Sequence, residues 1–158
     1  MKVVINDDFI VLCLNRFYIK SIDFNDKEIL QNYIKKLLLK LQDKYSLEFI
    51  GYYNITIYVD KNYGVIIEVK KEQLEYLDYF GSTLEINTRI LEDSFLYEVS
   101  SVDFSDNYLI YTLNGKIYIR IKKIISNVQM GPILEKVNKI IYGKERKKIT
   151  KKAKVLGW

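Results

Sequence analysis

The sequence contains no histidine, one cysteine, one proline and seven glycines among 158 residues. Each scarcity excludes a class of chemistry or architecture. Without histidine the chain lacks the commonest general base and metal ligand, and nucleophile–base arrangements built on imidazole are impossible. One cysteine excludes a disulfide framework and a cysteine-cluster metal site. So few prolines and glycines exclude collagen-like and linker-type sequence. Neither a G-x-x-x-x-G-K-[ST] loop nor a G-x-G-x-x-G turn occurs, and Gly143-Lys144 lacks both the upstream glycine and the following hydroxyl. No stretch approaches the roughly 18–20 apolar residues of a membrane span. At the start, Asn6-Asp7-Asp8 breaks the run Val3-Val4-Ile5 far short of the about 7–15 apolar residues of a secretory signal. These absences predict a cytoplasmic protein with no membrane, metal or cofactor requirement.

What is present is enough for a core. Hydrophobic residues make up 49% and charged residues 28%, near the usual globular values of about 45–50% and 25%. The length suits one domain of roughly 100–200 residues. Residues 3–5 and 9–14 read as two strands about a turn, and Cys13 within the second run reads as a buried, inert thiol. The strongest helix signal starts at Asn25, read as the N-cap. Glu28 three residues on suggests a capping box, and Phe24 with Ile29 suggests a hydrophobic staple. Ile29, Leu30, Tyr33, Ile34, Leu37, Leu38 and Leu41 then recur at helical spacing, predicting a helix over 26–45. Its lysine-rich face would suit an anionic membrane surface, but the sheet needs this apolar stripe as cover.

Residues 55–59 and 65–69 flank a turn-forming loop and predict a hairpin. Residues 73–80 before Gly81 suggest a short helix. Alternation returns at 84–90 and 95–99. The sharpest local signal is Asn114-Gly115, whose positive-φ preference predicts a two-residue hairpin of 108–113 with 116–122. Finally Pro132 suits a first helical turn, with Ile133, Leu134, Val137, Ile140 and Ile141 as an apolar face and Gly143 as the stop. No regular βαβ alternation occurs. The expectation is an α+β fold, with a largely antiparallel sheet covered by one long amphipathic helix and a shorter C-terminal helix. Residues 1–143 form the compact domain, with a division into two subdomains near 72–82 as the alternative, and 144–158 form a lysine-rich tail.

Charge is uneven along the chain. Residues 68–106 carry three basic and ten acidic groups, whereas 139–158 carry eight basic groups and one acidic group. The basic residues comprise 21 lysines and only four arginines. With Ile, Asn and Tyr abundant and Ala, Gly and Pro scarce, coding bias accounts for part of that lysine content.

No catalytic motif emerges. Asp103-Phe104-Ser105-Asp106-Asn107 alternates oxygen ligands, but Tyr108 and Asn114 stand where a calcium loop needs Gly and Glu. Asp7-Asp8 reads as turn chemistry. Two carboxylates could still converge in three dimensions as an acid–base couple. The hairpin register pairs Tyr111 with Tyr118 and Leu109 with Arg120. With the isoleucine face taken as core, Tyr111, Tyr118, Arg120 and Lys122 fall on the solvent side. Aromatic rings beside cations suit single-stranded nucleic acid, and the plainer reading is a cross-strand pair that stabilises the sheet. In the tail, Arg146, Lys147, Lys148, Lys151 and Lys152 suit a polyanion, and Trp158 suits docking on the domain or a partner.

The balance points to a non-enzymatic regulatory or adaptor-like protein that binds another macromolecule, first of all a protein. Nucleic-acid binding through the hairpin face and tail is the second reading. An enzyme with a carboxylate-based site is the third.

Overall fold

The computed structural model describes residues 2–6, 9–16, 25–71, 84–103 and 105–156. The short helix expected over 73–80, the Phe24 staple, the Asp7-Asp8 turn and Trp158 lie outside the described residues. The chain divides into two compact units, residues 1–57 with 65–91, and residues 58–64 with 92–158.

The first unit holds β1 (Lys2–Ile5), β2 (Phe9–Asn15), α1 (Lys27–Tyr45), β3 (Gly51–Asp60), β4 (Gly64–Lys71) and β5 (Leu84–Glu92), apart from the far end of the β3–β4 hairpin and the last residue of β5. The strands form one sheet in the order β1-β2-β4-β3-β5. β1 pairs antiparallel with β2, as the broken apolar run predicts. Central β4 buries Val65, Ile66 and Ile67 in succession, the pattern of a strand covered on both faces. β3 instead buries Tyr53, Ile55 and Ile57 at alternate positions. Cys13 on β2 is half-buried rather than fully buried.

In α1, Leu30, Ile34, Leu37, Leu38 and Leu41 are the buried residues, which is the apolar stripe that helical spacing predicts. The cap differs by one position. Asp26, not Asn25, is the N-cap, and its Oδ1 accepts from the Glu28 and Ile29 backbone N–H groups at 3.1 and 3.2 Å. A carboxylate there also meets the positive end of the helix dipole, which a neutral amide does less well. The side chain of Gln31 donates to Thr88 Oγ1 at 3.4 Å, joining α1 to β5.

The second unit adds β6 (Leu96–Val99), β7 (Tyr108–Leu113), β8 (Lys116–Ile121), α2 (Asn127–Glu135), β9 (Val137–Ile141), α3 (Gly143–Lys152) and β10 (Lys154–Leu156). Its sheet runs β10-β7-β8-β6-β9, and all four pairings are antiparallel. The β7–β8 register matches the Asn-Gly expectation pair for pair, from Leu113 with Lys116 to Tyr108 with Ile121. Asn114 and Gly115 take φ of 52° and 78°, as a type I′ turn requires.

The C-terminal third departs from expectation. The helix expected to start at Pro132 begins at Asn127, where Ser126 and Gln129 form a capping box. Pro132 lies inside it. Val137, Ile140 and Ile141 are not helical. They belong to β9, where β-branched side chains pair along the edge of β6. Residues 144–154 are not a loose tail either. They form α3 and enter β10, which pairs with β7. Among the described residues no helix is long and apolar enough to cross a membrane.

Candidate functional site

The second unit's sheet is buried on both faces. One face packs Leu96, Tyr111, Tyr118 and Ile141 together, with Ile149 and Ala153 from the α3 segment against them. On the other, Val99, Tyr108 and Ile119 line a cleft of about 270 Å³ with Ile125, Pro132 and Ile133. Tyr111 and Tyr118 are therefore only 6% and 5% exposed. The exposed aromatic face expected from the hairpin does not exist. The expectation failed because it gave the sheet one covered face and treated the cover of the other as a free tail.

The remaining predicted residues separate into two groups. Arg120 and Arg146 turn inward. Arg120 is half-buried and donates from Nε to Ser94 Oγ at 3.0 Å. Arg146 forms an ion pair with Asp93, whose side chain is 3% exposed. By contrast Lys122, Lys147, Lys148, Lys151 and Lys152 are exposed, as is Lys144.

Asp93 explains how α3 is held. Tyr142, at the N-cap, makes no side-chain cap bond. Asp93 Oδ2 instead accepts from the Gly143 backbone N–H at 2.7 Å, capping the helix from fifty residues away. Its Oδ1 accepts from Ser94 N–H at 2.7 Å. Gly143 has φ +61°, and a Cβ there would lie 3.2–3.3 Å from the Tyr58 ring. Only glycine suits both the left-handed backbone and the close ring. Tyr58, Tyr142, Phe95 and Tyr63 form a run of tilted ring contacts around this point.

Asp60 fixes the neighbouring turn. Its Oδ1 accepts from the N–H groups of Asn62 and Tyr63 at 2.8 and 2.9 Å, and Oδ2 from Phe95 N–H at 2.8 Å. Asn62 in turn accepts from Ile125 N–H at 2.9 Å and donates to the Lys123 carbonyl at 3.2 Å.

A second cleft, of about 300 Å³, brings Asp60, Glu92 and Asp93 together with Lys61, Lys122 and Lys123. Carboxylates converging in one cleft are what an acid–base site is built from. Here, however, both oxygens of Asp60 and of Asp93 accept backbone N–H bonds. Their lone pairs are engaged in building the unit. Among the described residues no group of three His, Cys, Asp or Glu is arranged to hold a metal ion. No protein family, curated protein or solved structure matches the chain.

A further feature open to function is the outer face of α3. Arg146, Ile149, Thr150 and Ala153 point inward at helical spacing. Lys144, Lys147, Lys148, Lys151 and Lys152 occupy the outer side, and none has an ion-pair partner among the described residues. Glu145 on the same helix is paired with Lys139 at 3.0 Å. Sequence reasoning found these lysines but not their order, because the partners that order them, Asp93 and the β6–β9 surface, are distant in the chain.

Proposed function

We propose that this chain is a non-enzymatic, cytoplasmic protein that binds nucleic acid through the phosphates, using the lysines of α3. The observation that carries the reading is the ordered row of five exposed lysines on a helix anchored by Asp93 and Arg146. A row fixed in advance loses less side-chain and backbone freedom on binding than a loose tail would. Charge distribution agrees with it. The second unit carries fourteen basic and eight acidic groups, the first eleven and twelve, so the excess positive charge belongs to the unit that bears α3. Titration of the protein with single-stranded DNA, RNA and duplex at two salt concentrations tests the reading. Binding that weakens steeply with salt is expected. No binding to any of the three at low salt overturns it.

A protein partner is the second reading, and one observation favours it. Val128 is 84% exposed and stands in α2 next to Gln129, which helps to line the first cleft, while Ile124, 68% exposed, lines the second. Exposed apolar side chains at clefts suit a protein surface. We also infer that α1 covers the sheet of the first unit, supported by its buried stripe and the Gln31–Thr88 bond.

A further inference from the structure

Resting on the nucleic-acid reading, we infer that α3 recognises a duplex in preference to a single strand, without sequence selectivity. Two independent observations lead there. First, among the described residues the second unit presents no fully exposed ring on which an unstacked base could lie. Tyr63, Phe95, Tyr97, Tyr111 and Tyr118 are buried, and Tyr58, Tyr108 and Tyr142 are half-buried. Single-strand binders gain much of their affinity by stacking bases on exposed rings, and the ring at the α3 N-cap, Tyr142, is engaged by the rings of Tyr58 and Phe95.

Second, the spacing of charge fits a duplex. Lys144 to Lys152 spans eight residues, or about 12 Å at 1.5 Å per residue. Over that length a duplex presents roughly seven phosphate charges, and one strand of it only about half as many. Five cations fixed along one side therefore displace more condensed counterions from a duplex. Lysine is a point charge that reaches phosphate without reading a base edge. Arg146, whose fork could read guanine, is turned inward onto Asp93.

The test uses the full chain with fluorescently labelled probes of about 20 base pairs or 20 nucleotides, titrated between about 50 and 200 mM salt. Two unrelated DNA duplexes and one RNA duplex should bind alike, and at least about tenfold more tightly than the corresponding single strands. The slope of log affinity against log salt on duplex DNA should be about −4.5, for five phosphates neutralised. Replacing Lys147, Lys148, Lys151 and Lys152 together by Gln should flatten it to about −1, and the matching Lys→Arg variant should keep it. Circular dichroism checks that α3 persists, since Gln is a good helix former. Single strands binding as tightly as duplex would overturn this inference and leave the broader reading intact. An unchanged slope in the Gln variant would move the contact away from α3. Absence of binding to every probe overturns both.

Discussion

Asp93 concentrates several demands in one side chain. It caps α3 through Gly143, holds Ser94 N–H and neutralises Arg146. Asp93→Ala would leave a buried guanidinium and a helix N-terminus without their acceptor. The expected cost is roughly 3–5 kcal/mol, as for breaking a buried ion pair from one side. Urea denaturation of the variant measures it, and a loss under about 1 kcal/mol would show that water replaces the carboxylate. Little of this was legible in the sequence. Asp93 stands in Leu91-Glu92-Asp93-Ser94, where it reads as loop polarity. Its partners lie about fifty residues on, and nothing local marks a helix capped from so far away. Tyr111 and Tyr118 show the same limit from the other side. Their register could be read from Asn114-Gly115, but their burial depends on Ile149 and Ala153.

At the scale of elements, local signals and distant ones part company. The α1 stripe was readable because one amphipathic face repeats over five turns, enough for periodicity to outweigh accident. Leu38→Ala, at a position with no exposed surface, should cost roughly 2–5 kcal/mol. Leu39→Ala, half-exposed on the next position, should change stability by less than about 0.5 kcal/mol. Equal midpoints for the two variants would mean that this face is not core. The C-terminal elements were harder to read. Ser126 and Gln129 carried a capping-box spacing that marks α2, but Pro132, taken as first-turn, drew the helix start about five residues too late. The run Val137–Ile141 fits a helix face or a short strand equally well, and the open edge of β6 decides between them. α3 reads as a solvated charge run because its inner face offers only Ile149 and Ala153 as apolar contacts. Ile149→Ala should nevertheless cost about 1–2 kcal/mol, at about 0.8 kcal/mol per buried methylene with partial exposure. A neutral result by thermal unfolding would return these residues to the status of a tail.

For the molecule as a whole, the lack of histidine leaves the pH range near neutrality without a side chain that ordinarily titrates there. Stability should be flat between about pH 6 and 8. The change is expected at high pH. Burial pushes the Tyr33 and Tyr53 hydroxyls above their ordinary value of 10.0; at Tyr53 a backbone hydrogen bond with Ile50 offsets part of the rise and the nearby Glu48 charge adds to it. An unfolded tyrosine gives up its proton near that value, while the buried ones hold theirs to higher pH. Above about pH 10 the unfolded chain therefore binds fewer protons, and stability falls as pH rises through the folded values. Urea midpoints at pH 8 and 10.5 should show the fall, and a Tyr33→Phe, Tyr53→Phe variant should lose part of it. An identical slope in that variant would assign the fall to other groups.

The second unit is discontinuous along the chain, because residues 58–64 belong to it while 65–91 do not. That matters for how it is made. A peptide starting at Glu92 would carry every strand of the second sheet, yet lack Asp60 and Asn62, the acceptors for Phe95 and Ile125. Limited proteolysis between the units should not release an autonomous C-terminal piece. On the ribosome, Asp60 emerges 86 residues before Arg146. At roughly 5–20 residues per second it waits on the order of ten seconds for the chain that completes its unit. Through that interval the tip of the β3–β4 hairpin is a template in search of later sequence, so vectorial synthesis favours the first unit and leaves the second to assemble last.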